Sequence, residues 1–254
     1  MIFEAPTGAE VAQLLELNFM STTDNKRALV VRGGWDGHQP VEATDSFLPF
    51  LNEHGYDVRV EDATAVYADA GYMATVDLVV QTNTMNTIER EELKGLIAAV
   101  ENGTGMAGWH GGIADSYRNS SDYLQFIGGQ FATHPTRAPR EELKGEAADC
   151  FTHYTVNIVP EQADHPIVQG IADFDLHTEQ YWVLSDEYND VLATTTIPVT
   201  AYHPWHRPVT CPAVWTRLWG AGRIFVATPG HDTGVLADAN VRTIIERGIL
   251  WASR

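Results

Sequence analysis

Gly105-Met-Ala-Gly-Trp109, followed at once by His110-Gly111-Gly112, decides how this chain is read. The first five residues form an uncharged run that reads as a buried strand. Gly108, Gly111 and Gly112 permit backbone angles and close approaches that a side chain would block, so the turn after the strand can be sharp. A sharp turn at a strand's carboxyl end pushes its central side chain out of the sheet, as the G-x-S-x-G nucleophile elbow does for serine. Here the presented group is an imidazole, which can move protons near neutral pH or ligate a metal.

Working outward, short apolar runs alternate with helical patterns, the rhythm of a parallel sheet covered on both faces. The expected fold is α/β: a flavodoxin-like, doubly wound, mostly parallel sheet with added antiparallel strands. Ala28–Arg32 is the first strand, and Phe47, Phe50 and Leu51 share one face of a helix over residues 41–54 that ends at Gly55. Strands follow at Tyr56–Val60 and Asp77–Gln81, and Asn86 or Thr87 can cap a helix over Ile88–Asn102. Beyond His110 the pattern is irregular to about residue 148. Strands are expected at Phe151–Val159, Asp173–Leu184 and Val191–Ile197, the first two alternating as antiparallel additions do. Val214–Trp219 and Gly222–Thr228 read as two more strands, and Asp238–Trp251 as a closing helix. Residues 26–254 read as one domain. Residues 1–25 read as an appendage in which Val11–Phe19 can form a short amphipathic helix.

The chain has 254 residues, 44% of them hydrophobic, and a formal charge of -18. That charge argues against a nucleic-acid surface and against anionic membranes. The only cysteines, Cys150 and Cys211, form no C-x-x-C pair, which excludes a cysteine zinc site and fits a reducing cytoplasm. No stretch approaches the ~20 apolar residues of a membrane span. The first residues lack the basic segment of a signal peptide.

In open α/β sheets ligands bind beyond the carboxyl ends of the parallel strands. His38 follows the first strand, Asn83 the third, His110 the fourth and His231 the strand ending at Thr228, so these groups should face one edge. His38, His110 and His231 are the expected ligands of a divalent metal, zinc first, although no short H-x-x-H or H-E-x-x-H spacing marks them. No organic cofactor is indicated. If residues 173–184 form one strand, His177, Glu179 and Tyr181 share a face, and Glu179 and Tyr181 can orient hydroxyls or relay protons. Trp35, Trp109, His134 and Trp205 are the expected substrate-binding groups with Asn83. Trp205, between His203 and His206, is equally readable as a packing cluster. His165, before Pro166, reads as the start of a short helix.

Several segments, in order, resemble one family: Gly33-Gly-Trp-Asp-Gly-His38, Gly-Trp-His110-Gly-Gly, Phe126-Ile-Gly-Gly-Gln-Phe-Ala-Thr-His134-Pro, His165-Pro-Ile, Glu179-Gln-Tyr181, Pro212-Ala-Val-Trp215-Thr and Gly222-Arg-Ile-Phe-Val-Ala-Thr-Pro-Gly-His231. Together they resemble the ThuA-like (trehalose utilisation) family, over about Lys26 to Ala252. The resemblance implies a fold related to the class I glutamine amidotransferases. It also implies catabolism of trehalose-like glucosides or their 3-keto derivatives. A glutamine amidotransferase needs a cysteine at the elbow to attack the amide carbon; His110 stands there instead, which argues against glutaminase chemistry. A 3-keto group acidifies its neighbouring C–H bonds, so His110 as base with a polarising partner can drive isomerisation or bond cleavage. A non-catalytic sugar-binding or regulatory module and a metal-dependent hydrolase are the alternatives. The expected partner is a small-molecule sugar, and a homo-oligomer is allowed.

Overall fold

A computed structural model describes residues 25–135 and 150–254. The expected appendage helix at Val11–Phe19 lies outside the described residues. Its first strand, β1 (Lys26–Gly34), carries Ala28-Leu-Val-Val31 buried on both faces. Leu29 and Val31 pack into one core layer and Ala28 and Val30 into the other. That is the behaviour of a central parallel strand covered on both sides. The same holds for β3 (Leu78–Thr84), buried along its whole length.

With β2 (Tyr56–Glu61), β4 (Gly105–Trp109) and a late strand at Gly222–Ala227, these form five parallel strands in the order 2-1-3-4-late. This is the flavodoxin-like order, with its switch point between β1 and β3. One face is covered by α1 (Pro40–Asp45), α2 (Leu48–Glu53) and a C-terminal helix at Ala239–Ala252, through Phe47, Leu51, Ile245 and Ile249. The short α3 (Ala70–Met73) and α4 (Arg90–Glu101) cover the other, with α5 (Gly111–Ala114) and α6 (Ser121–Ile127).

The sheet then continues antiparallel. β5 (Gly129–Thr133) and β8 (Trp182–Ser185) pair in a separate two-stranded sheet. β6 (Phe151–Ile158), β7 (Phe174–Glu179), β9 (Asp190–Ile197) and β10 (Val209–Trp219) extend the main sheet beside β11 (Gly222–Ala227), giving β2-β1-β3-β4-β11-β10-β9-β6-β7. β10 carries Pro212 at an irregularity in its ladder with β9, a place where proline's missing N–H is tolerated. The chain closes with α7 (Thr233–Leu236) and α8 (Ala239–Ala252), whose first turn is capped by the Asp238 carboxylate. Among the described residues no helix is long and apolar enough to cross a membrane.

Five expectations change. The helix over 41–54 is two short helices, because Ser46 and Phe47 turn the chain between them. The helix expected from Ile88 begins at Arg90, with Glu89 and Glu92 forming the capping box in place of an Asn86 or Thr87 cap. Asp173–Leu184 is not one strand: it breaks at Gln180-Tyr181, where the chain passes from β7 to β8 in the other sheet. The irregular segment after His110 contains α6 and β5, and His165 lies in a turn rather than a helix.

Candidate metal centre

The elbow is built as its glycines require. His110 takes φ 49° and ψ -142°, a conformation that costs a non-glycine residue roughly 1–3 kcal/mol. A Cβ on Gly108 would lie 2.6 Å from the Gln81 carbonyl oxygen, on Gly111 2.6 Å from His38 Cε1, and on Gly112 2.6 Å from Thr82 Cα. Only glycine lets β4 and α5 approach β3 this closely, and the strain at His110 is held by that packing.

His110 is buried, and both ring nitrogens are engaged. Nδ1 donates to the Thr228 carbonyl oxygen at 2.7 Å, which fixes the proton on Nδ1. Nε2 lies 3.0 Å from Glu179 Oε2. Burial, opposed by the Glu179 contact, lowers the imidazole's pKa to about 4. A neutral ring then turns a lone pair toward a carboxylate oxygen, an arrangement that a shared cation satisfies. His38 sits in a 3-10 turn (Asp36–His38) after β1, its Nδ1 held by the Thr84 hydroxyl at 2.9 Å and its Nε2 3.8 Å from Glu179 Oε2. His231 Nδ1 lies 3.1 Å from the same oxygen but off the hydrogen-bond line. This buried nitrogen has no hydrogen-bond partner among the described residues.

Four donor atoms, one each from His38, His110, Glu179 and His231, therefore lie within 4.8 Å of one another. Ligands around a tetrahedral zinc stand about 3.4 Å apart, given ligand bonds of about 2.0–2.1 Å. The 3.0–3.8 Å between Glu179 Oε2 and the three imidazoles brackets that spacing. Three imidazoles and one carboxylate are also the donor types of a zinc-class ion. The hydrogen bonds from His38 to Thr84 and from His110 to Thr228 supply the outer support that such ligands need. Burial alone would raise the Glu179 carboxyl, but its contacts with His110, His231 and His38 outweigh it and hold the group ionised.

The other expected residues divide. Tyr181 is buried with its ring over His110, centroids 4.2 Å apart. Burial and the Glu179 charge push its phenol up, so it stays a neutral donor. His134 joins from the end of β5. Its Nε2 is 3.6 Å from Glu179 Oε1, its Nδ1 faces the Gln180 carbonyl, and burial lowers its pKa. Trp35 stands half exposed against His38, rings 4.8 Å apart. Asn83 is fully buried at the end of β3, its carbonyl accepting from Asn86. Trp109 is a core residue packed on Phe47, where it walls a small cavity behind His38 and His110. Trp205 stacks on His203 and meets Trp182, the packing cluster that was its other reading. His177 and Glu179 stand two residues apart on β7, the first exposed and the second buried, but Tyr181 lies beyond the end of that strand, so the expected face of all three does not form. Sequence reading missed Thr84 and the Thr228 carbonyl. It also missed Asp115, a buried carboxylate in a bidentate pair with Arg118.

The profile of the ThuA family, described as trehalose utilisation, matches residues 27–252. The chain belongs to the ThuA family. A ThuA-like protein of Bacteroides uniformis shares the fold with a TM-score of 0.69 at 17% identity, covering 91% of this chain and 94% of that one. A ThuA-like protein of Parabacteroides merdae gives 0.66 at 17% identity, covering 90% of each. The Salmonella typhimurium cytoplasmic protein STM1381 gives 0.59 at 13% identity, over 90% of this chain and 100% of that one. At these identities the solved structures speak for the fold alone. Among curated proteins, none matches the sequence.

Proposed function

We propose that this ThuA protein is a metal-dependent enzyme of sugar catabolism. It would act on trehalose-like glucosides or their 3-keto derivatives by isomerisation or bond cleavage. The observation that carries this is the convergence of His38, His110, Glu179 and His231 on one point at the carboxyl edge of the sheet. A divalent ion bound there supplies Lewis-acid polarisation of a sugar carbonyl or hydroxyl oxygen. The chain's own residues divide the remaining work.

His110 holds rather than shuttles in this reading, because its Nδ1 is committed to the Thr228 carbonyl and its Nε2 to the cluster. The proton-handling role expected of it passes to His134. Its Nδ1 faces the Gln180 carbonyl, which leaves Nε2 as the lone-pair nitrogen, and its side chain keeps 21% of its exposure. Being neutral, it can take a proton from a carbon made acidic by an adjacent ketone. Tyr181, buried beside it, can donate its hydroxyl proton to a developing oxyanion.

The test is elemental analysis of untagged, dialysed protein after loading with zinc or manganese. About one ion per chain is expected, with loss of that ion in His38→Ala and in His231→Ala. Consumption of 3-keto-trehalose should stop on chelation and return on metal addition. Metal well below stoichiometric, or metal kept by both variants, overturns the reading.

A further inference from the structure

The β6–β7 ribbon carries a pair of histidines that the central cluster does not use. In its register Phe151 faces Glu179, His153 faces His177 and Thr155 faces Asp175, and directly opposed residues of an antiparallel pair share one face. The alternate residues, Tyr154, Val156, Phe174 and Leu176, lie on the other face and pack into the core. The first face turns away from that core, with His153, Asp175 and His177 exposed. At its inner end Glu179 enters the cluster, and Phe151 meets both His231, at 5.1 Å, and His177, at 6.1 Å. The histidine pair stands one step outward, two residues or about 7 Å along the strand from Glu179.

The rings of His153 and His177 are stacked, with centroids 4.1 Å apart and planes 21° from parallel. Farther out on the same face, each polar pair is closed by a hydrogen bond. The Thr155 hydroxyl donates to Asp175 at 2.6 Å, and the Asn157 amide donates to Asp173 at 3.0 Å. The two imidazoles are joined by ring contact instead. Neither ring is buried, so core packing does not call for an imidazole at either position. Two nitrogens on one tetrahedral ion stand about 3.4 Å apart. Rings 4.1 Å apart, on opposed side chains whose Cβ atoms are typically about 4.5–5.5 Å apart, reach that spacing by turning about their own bonds.

We propose that His153 and His177 form a second, exposed metal site, for a divalent transition-metal ion of the zinc, nickel or copper class. Imidazole nitrogens suit these ions, whereas magnesium and calcium take oxygen ligands. Water completes the coordination on the open side of the pair. β6 pairs with β9 only through Asn157 and Ile158, at the far end from Phe151. An ion across the histidines therefore bridges the two strands of the ribbon near its unanchored end, beside the residue that closes the central cluster. The site shares no ligand with that cluster and does not depend on whether the cluster holds an ion.

The experiment is equilibrium dialysis of the full chain against nickel chloride, for wild type, His153→Asn and His177→Asn. Both positions are exposed, so the substitutions leave the fold intact, which circular dichroism checks. Wild type should take up about one nickel ion per chain more than either variant at the same free concentration. Two imidazoles held on one ribbon bind an ion more tightly than either alone, so each variant should weaken that ion by about 100-fold. The comparison is repeated in the His38→Ala background, which strikes the central cluster, and the same difference should persist there. Uptake equal to wild type in either variant overturns the site. So does a difference that vanishes in the His38→Ala background, because the ion then belongs to the central cluster. Failure of the central metal reading looks different: it removes the ion common to wild type and the two ribbon variants and leaves the difference between them.

Discussion

The five parallel strands and the four antiparallel strands of the one sheet supply the site by different means. The parallel half delivers three imidazoles by a local rule. His38 comes four residues after Gly34, His110 directly after Trp109, and His231 four residues after Ala227, each just beyond the carboxyl end of a strand. The antiparallel half delivers Glu179 from β7, the outermost strand, five places away from β4. In a flat sheet that is about 24 Å, at roughly 4.8 Å between strands. Yet Glu179 Oε2 lies 3.0 Å from His110 Nε2.

The distance closes because β6 meets β9 only at Asn157–Thr194 and Ile158–Ala193, while β6 and β7 pair along six residues of each. The β6–β7 ribbon is tied to the sheet at one end. Its other end, carrying Phe151 and Glu179, folds back over the carboxyl edge, where Phe151 meets the ring of His231 at 5.1 Å. One half of the molecule positions ligands by strand geometry, the other by bending a ribbon across it. The imidazoles alone make an open half-shell, and the carboxylate closes it.

Three tests probe this contrast. The largest effect is expected from Glu179→Gln, which keeps the shape and removes the charge that the antiparallel half contributes. Zinc affinity should fall by about 100-fold or more, since even the groups that support metal ligands are worth roughly 10–100-fold. Chelator competition measures this, with circular dichroism showing the fold unchanged. Affinity within threefold of wild type would mean that the parallel half suffices.

Next comes Gly112→Ala, which strikes the local geometry of the parallel half. Its Cβ would fall 2.6 Å from Thr82 Cα, a clash with backbone that no rotamer relieves. Unfolding in denaturant should show a loss of about 2–3 kcal/mol, as for an overpacked core. A loss under about 0.5 kcal/mol, the size of an ordinary surface change, would show that the elbow is looser than drawn.

The smallest effect separates strain from function at His110. Both His110→Gly and His110→Ala should lose the metal. The glycine variant should nonetheless be more stable than the alanine by about 1 kcal/mol, because alanine keeps the strained φ of 49° that glycine adopts freely. Equal stability in thermal or denaturant unfolding would place the strain elsewhere.

Much of the parallel half is legible in the order of residues. Its strands are continuous apolar runs, Ala28-Leu-Val-Val31 and Leu78-Val-Val80 among them, and its glycines mark the turns. The rule that ligands gather at the strands' carboxyl ends then groups His38, His110 and His231. The antiparallel half was legible only in part. Glu179 and Tyr181 stand out in the Glu179-Gln-Tyr181 segment, but the single strand that would set them on one face breaks between them. His134 came from an irregular segment, since β5 is short and half-buried and carries no alternating pattern. Asp115 and Arg118 gave no signal, being an ordinary pair at three-residue spacing.

Apolar periodicity and glycine placement are properties of neighbours along the chain, so the α/β class, the elbow at His110 and the three histidines at strand ends were written in the order of residues. What closes the cluster is not local. Glu179 stands 69 residues from His110, and Thr228, whose carbonyl fixes the His110 proton, stands 118 away. Those contacts depend on how far a two-stranded ribbon bends and on which backbone carbonyl meets a ring nitrogen. Both follow from the packing of distant surfaces, and no pattern of adjacent side chains encodes them.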